Sequence, residues 1–235
     1  MKRGYFITGT DTNIGKTTIT AALARAFKER GLKVGVMKPV ESGCKTEGGQ
    51  LVPADALCLK EAAGSDDKFG LINPYHFSLP LAPKLAAEAS DTEIDLGWIQ
   101  GCFSELSEGK DLMLVESAGG ILVPLTGTKT TVDLMLMLGL ELIVVTPSRL
   151  GCINQTLLTV RFAELVGLKV AGVILNHPDE RIDESQKSNA NEISNFGVTV
   201  LGTIPCSKDD AEPLNIESFI NLDLLLGETE EREEE

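Results

Sequence analysis

Ten residues near the start of the chain constrain its fold most. An apolar run over residues 4–8 leads into Gly9-Thr10-Asp11-Thr12-Asn13-Ile14-Gly15-Lys16-Thr17-Thr18, after which apolar residues recur with helical period. A strand that turns through such a loop into a helix aims several backbone N–H groups at one spot. The positive end of the helix adds to them, which makes a nest for an anion. Gly15 lets the backbone approach that anion. Lys16 has the reach for β- and γ-phosphate oxygens, and the Thr17 hydroxyl suits a magnesium ion. Asp11, Asn13, Ile14 and Thr18 complete the expected nucleotide contacts of the loop. The spacing is Gly-x5-Gly-Lys-Thr, because Thr10 stands where the strict pattern has glycine.

The rest of the chain repeats this alternation of short apolar runs and longer amphipathic segments. Strands are predicted over residues 4–8, 34–40, 111–116, 141–146, 170–176 and 199–204. Helices are predicted over 16–30, 54–63, 93–106, 131–138, 154–166 and 183–196. The apolar runs are continuous rather than alternating, which is the pattern of strands buried on both faces. That implies an α/β fold with a mainly parallel sheet and helices on each side. One domain is expected over residues 1–226, followed by a solvated acidic tail over 227–235. Ligands of open α/β sheets sit at the carboxyl ends of the strands, so functional residues should follow the predicted strands.

Charge and cysteine content narrow the function classes. The net charge is −14, of which residues 228–235 contribute six Glu and one Arg. Non-specific nucleic-acid binding needs a basic surface and is excluded as an expectation. Five dispersed cysteines, with no Cys-x-x-Cys pair, suit a reducing cytoplasm. Only two histidines are present, which argues against a His/Cys zinc site. The N-terminal apolar run is too short for a signal peptide, and no run approaches a membrane span.

A bound triphosphate with magnesium needs further oxygen ligands. Glu116 ends the apolar run 112–115, where a strand would deliver a carboxylate to the site. Asp55 opens a predicted helix and reads equally as a second ligand or as an acid favoured by the helix macrodipole. Asn154 has the same ambiguity: it suits either a helix cap or a ligand contact.

At this point the residues resemble a known family. The loop from Gly9 to Thr17, Lys38-Pro39-Val40-Glu41-Ser42-Gly43, Asp55-Ala56-Leu57, Asn73-Pro74-Tyr75, Glu116 with Ala118-Gly119-Gly120, and Leu150-Gly151-Cys152-Ile153-Asn154 are similar to those of the dethiobiotin synthetases. The resemblance runs over residues 4–205. It implies an ATP- and magnesium-dependent ligase that joins 7,8-diaminononanoate and CO2 through a carbamate and a carbamic-phosphoric anhydride. It implies that Lys16, Lys38, Ser42 and Thr12 act in catalysis, that Lys38 and Ser42 hold the carbamate, and that Thr17, Asp55 and Glu116 hold the metal. Asn176, Pro205 and Glu212 are expected at the base and ribose. Gly119 is expected at the substrate. Gly151, Cys152, Ile153 and Asn154 are expected to bind the substrate carboxylate from the second subunit of a homodimer.

Two positions depart from the family pattern. Position 13 is often glutamate there, so no carboxylate role carries over to Asn13. Ser117 replaces a glycine, so its backbone has to avoid a glycine-only conformation. Two other readings share the phosphate loop. One is a related amidoligase, which differs over residues 38–42. The other is a ParA- or MinD-like switch ATPase, whose signature lysine five residues before the loop lysine is here Asp11.

Overall fold

The computed structural model describes residues 3–177, 184–206 and 213–227. In chain order the first elements are β1 (Gly4–Gly9), α1 (Lys16–Glu29), β2 (Val34–Met37), β3 (Val40–Ser42), β4 (Lys45–Glu47), β5 (Gln50–Val52), α2 (Ala54–Ala63) and α3 (Phe69–Ile72). They are followed by β6 (Tyr75–Phe77), α4 (Pro83–Glu88), α5 (Leu96–Leu106), β7 (Leu112–Glu116), β8 (Pro124–Thr126), β9 (Lys129–Thr130) and α6 (Thr131–Leu138). The last are β10 (Glu141–Pro147), α7 (Cys152–Leu165), β11 (Val170–Asn176), α8 (Glu184–Asn195), β12 (Val200–Ile204) and α9 (Leu222–Leu226).

Six strands form one parallel sheet in the order β12-β11-β10-β1-β7-β2. The inner strands β1 and β7 and the edge strand β2 are buried at every residue, as continuous apolar runs require when helices cover both faces. The chain moves from β1 out to β2, then reverses through β7 and β10 to β12. Right-handed crossovers place α1 on one face and the helices of the return path on the other. The first helix of the return path is the exception, since α2 packs against α1; farther along, α5 meets α6 and α7 meets α8. The core side of α1 carries Ile19, Leu23, Ala26 and Phe27, all buried.

The sequence reading of one strand over residues 34–40 is corrected. The sheet strand ends at Met37, and β3 leaves to pair with β6 in a separate two-stranded sheet. Pro39 has no N–H for a ladder, and the Lys38 N–H is taken by Ile72 O at 2.8 Å. The helix expected from residue 93 begins at Leu96, because the Asp95 carboxylate caps it by accepting from Gly97 N and Trp98 N. The helix expected from 154 begins earlier, at Cys152. The β4–β5 and β8–β9 hairpins, β6, α3 and α4 carry too few residues for a readable period. The tail over 227–235 lies, apart from Gly227, outside the described residues.

Register places the reversal at β1, with β10 on one side and β7 on the other. Ile7 is level with Glu116, Gly9 with Val145, Pro147 with Asn176, and Asn176 with Ile204. The carboxyl ends of five strands therefore converge around the loop after β1.

Candidate active site

The loop after β1 is held from several directions. Thr10 N–H donates to Val145 O at 3.0 Å, and the Asn176 side-chain amide donates to Ile14 O at 3.0 Å. Asn13 and Gly15 both have positive φ, 54° and 88°. Asparagine tolerates that region, and glycine enters it freely. A Cβ on Gly15 would lie 2.4 Å from the Asn176 amide nitrogen, so close approach also demands glycine here. The Lys16 ammonium folds back along the loop and donates to Asp11 O at 3.0 Å. Burial lowers the Lys16 pKa, and the nearby positive charge of Lys38 lowers it further. Asp11 is tied in turn to Arg149, at 3.0 Å, and accepts the Thr12 N–H at 2.8 Å.

Beside the loop sits a buried charge cluster. Glu116, at the end of β7, is fully buried; Lys38, just past β2, is 4% exposed. The Lys38 ammonium lies 2.5 Å from Glu116 Oε1 and 2.9 Å from Asp55 Oδ2. Burial opposes the charge on Lys38, but Glu116 and Asp55 outweigh it and hold its pKa above the usual lysine range. The Thr17 hydroxyl donates to the same Glu116 oxygen at 2.8 Å. The main chain of Lys38 is fixed by the Asn73 side-chain amide, which donates to Lys38 O at 2.7 Å.

Two cavities flank the loop. The first, of about 600 Å³, is bounded by Thr12, Lys16, Thr17, Lys38, Ser42, Asp55, Glu116 and Gly119. Asn13, Ile14, Gly15 and Thr18 also border it, and Pro80, Leu81, Ala82, Pro83 and Val123 give it an apolar wall. The second, of about 490 Å³, lies between the loop and the ends of β10, β11 and β12, where Asp11, Arg149, Asn176, His177, Pro205 and Leu214 face it. Glu212 lies outside the described residues. Gly119 has a φ of 89° and approaches Val123. Ser117 has no positive φ; its hydroxyl donates to Gly119 O at 2.6 Å and shapes the same loop.

Four expected substrate contacts stand apart. Gly151, Cys152, Ile153 and Asn154 border neither cavity. Gly151 has a φ of 94° and precedes α7, Cys152 is fully buried, and Asn154 is exposed on the first turn. Burial raises the Cys152 pKa, so the thiol packs as an apolar group. Sequence reasoning gave no individual role to Glu41, the wall at 80–83, Val123, Arg149, His177 or Leu214. The doubled Pro80–Pro83 spacing was the one readable signal among them.

The donor set suits a hard cation. Glu116 Oε2 is buried with no hydrogen-bond partner among the described residues, while Oε1 of the same carboxylate takes the Thr17 hydroxyl and the Lys38 ammonium that also meets Asp55. Among the described residues no group of three or more His, Cys, Asp or Glu forms a metal cage. Two carboxylates and a hydroxyl match magnesium, which keeps waters and takes phosphate oxygens to complete its shell.

An AAA domain family profile matches residues 3–213. The ATP-dependent dethiobiotin synthetase of Thermodesulfovibrio yellowstonii is 38% identical over 214 residues, covering 87% of this chain and 89% of the relative. That of Bacillus subtilis is 35% identical over 231 residues, covering 96% and 98%. Among solved structures, a ParA family ATPase from Chlorobium tepidum superposes with a TM-score of 0.53 at 16% identity, covering 97% of this chain and 95% of its own. The septum site-determining protein MinD of Pyrococcus horikoshii, complexed with Mg-ADP, gives 0.51 at 20% identity, with coverage of 87% and 82%. These two likenesses show a shared fold. With at least 35% identity to these two enzymes over most of both chains, this chain belongs to the dethiobiotin synthetase family.

Proposed function

We infer that the chain is an ATP-dependent ligase that converts 7,8-diaminononanoate and CO2 to dethiobiotin, with release of ADP and phosphate. The observation that supports this best is Lys38, held by two carboxylates at the edge of the first cavity and facing the phosphate loop. One amine of the substrate adds to CO2 and loses a proton to give a carbamate. The carbamate oxygen attacks the γ-phosphorus of ATP and ADP leaves. The second amine then attacks the carbamoyl carbon and loses a proton, the urea ring closes, and phosphate departs with its electron pair.

We assign Lys16 the neutralisation of charge on the transferred phosphoryl, for which its ammonium would turn from Asp11 O to the phosphate. We assign Lys38 and Ser42 to the carbamate oxygens; both border the first cavity, and so does Thr12. A magnesium ion on Thr17, Asp55 and Glu116 would supply charge neutralisation at the β- and γ-phosphate oxygens. The second cavity suits the nucleoside, with Asn176 and Pro205 along it. A related amidoligase chemistry on the same fold is less favoured, because Lys38 and Ser42 match the family pattern. A ParA- or MinD-like switch has only the fold in its favour.

The substrate carboxylate site is assigned to a second copy of the chain in a homodimer. Residues 151–154 border neither cavity of their own subunit, and Leu150, Leu158 and Leu165 are 86, 64 and 82% exposed beside and along α7. Covering such a row is what a subunit contact does. Light scattering should give a dimer mass, and Leu158→Glu should lower it together with activity. A fully active monomer overturns the arrangement. Among the described residues Cys44, Cys58, Cys102 and Cys152 form no disulfide. Among the described residues no helix is long and apolar enough to cross a membrane.

The activity test is direct. Purified chain with ATP, magnesium, diaminononanoate and bicarbonate should yield dethiobiotin by mass spectrometry, with ATP turnover dependent on both diamine and bicarbonate. Turnover indifferent to them, or stimulated by DNA or lipid, defeats the reading.

A further inference from the structure

Helix α2 opens without a cap of its own. Its N-cap residue is Pro53, and no side chain of the helix itself takes the first N–H groups. Those groups need an acceptor. They find one in a different element: Glu41 of β3 accepts the Asp55 N–H on Oε1 at 3.0 Å and the Ala56 N–H on Oε2 at 3.0 Å. These are the two donors that an N-cap aspartate or serine would satisfy. Glu41 is 6% exposed, and β3 is itself fixed by pairing with β6, where Glu41 is level with His76. Desolvation raises the Glu41 pKa, and the two N–H bonds oppose that rise.

The consequence falls on Asp55. Its backbone N–H is held by Glu41, while its side chain reaches the Lys38 ammonium at 2.9 Å from the wall of the first cavity. The Asp55 side chain is itself 42% exposed, so packing does little to fix it. We propose that Glu41 is a positioning residue for the cation site: by capping α2 from β3 it sets the place of Asp55 opposite Lys38 and Glu116. This rests on the assignment of Asp55 to the magnesium set. Partners that orient a metal ligand typically change metal affinity by about 10- to 100-fold when removed.

The test compares Glu41→Ala, Glu41→Gln, Asp55→Asn and the double variant Glu41→Ala/Asp55→Asn in the full-length protein. Amide hydrogen exchange reports the cap directly, and Mn²⁺ binding to the ADP complex, followed by electron paramagnetic resonance, reports the cation site without turnover. Glu41→Ala should speed exchange in the first turn of α2 and weaken Mn²⁺ binding by about 10-fold or more. The magnesium midpoint of dethiobiotin formation should rise in step, with kcat at saturating magnesium within a few-fold of the parent. Glu41→Gln keeps one acceptor oxygen but turns an NH2 group toward the other N–H, so it should recover only part of the loss, and its similar shape guards against a folding defect in the alanine variant. If Glu41 acts through Asp55, the double variant should be no worse than Asp55→Asn. Unchanged Mn²⁺ affinity in Glu41→Ala, or losses that add in the double variant, overturn the proposal. Should Asp55→Asn leave Mn²⁺ affinity unchanged, the metal assignment fails and the proposal with it; exchange data then still show whether the cap exists.

Discussion

The Lys38 ammonium and the Glu116 carboxylate meet at 2.5 Å, with side chains only 5% and 1% exposed. Removing one member of such a pair leaves the other charged and unpaired in a poorly solvating interior, at a cost of about 3 kcal/mol or more. Lys38→Leu should therefore lower stability in urea titrations and reduce both kcat and the apparent affinity for diamine. Lys38→Met/Glu116→Gln should regain much of the stability and none of the activity. Equal stability in the single and double variants would show that the pair is not electrostatically coupled.

Lys16 carries the opposite balance. Burial and the charge of Lys38 depress its pKa below the ordinary 10.5, so the folded state holds this proton less tightly than the unfolded one. The unfolded chain binds more protons between the depressed value and 10.5, and stability rises with pH through that window. Below the window the penalty is fully present. Lys16→Met should remove it, raising Tm by about 2–4 °C for a gain of about 1 kcal/mol in a chain of this size. The same change should lower kcat by about 10²- to 10³-fold. A drop in Tm would show that the Asp11 contact outweighs the charge penalty.

The free enzyme and its nucleotide complex should also titrate differently. The pH profile of kcat/KM for ATP reports the free enzyme, and kcat reports the complex. With Lys16 depressed before ATP binds, kcat/KM should fall on the alkaline side below pH 10.5. Phosphate oxygens favour the charged ammonium, so the kcat limb should lie at higher pH. Coincident limbs would place the titration elsewhere.

Gly15 meets two demands at once: a φ of 88° and a gap to Asn176 that has no room for a Cβ. Gly15→Ala should weaken nucleotide binding by more than about 10-fold and destabilise the fold by about 1–3 kcal/mol. Adding Asn176→Ala relieves the collision and leaves the dihedral strain, so calorimetry should show only partial recovery. Full recovery would mean that the contact alone imposes glycine.

The loop over residues 9–18, the strand ends and the alternation of strands with helices were legible because each is a local property. Backbone N–H groups at a strand–loop–helix junction converge whatever the rest of the chain does. Asp55 was ambiguous between a helix-start acid and a ligand, and in the structure it opens α2 and also reaches Lys38. Glu41 was legible only as a member of the segment over 38–43, since nothing in its neighbours says that the Asp55 N–H, fourteen residues on, lacks a cap. Arg149 and Asp11 are 138 positions apart, and only the sheet order makes them neighbours. The break at Lys38-Pro39 was visible as a proline, yet the apolar run on both sides hid it.

The sequence alone determined a parallel α/β sheet and a phosphate-binding loop at its first strand-to-helix turn, because hydrophobic period and backbone geometry act over a few residues. Only the tertiary structure decided which charges share a desolvated volume. Lys38, Asp55 and Glu116 come from three separate elements, and their protonation and reach depend on distances through space that no spacing along the chain encodes. Coulomb interaction and burial follow those distances, and so does the cap that Glu41 lends to α2.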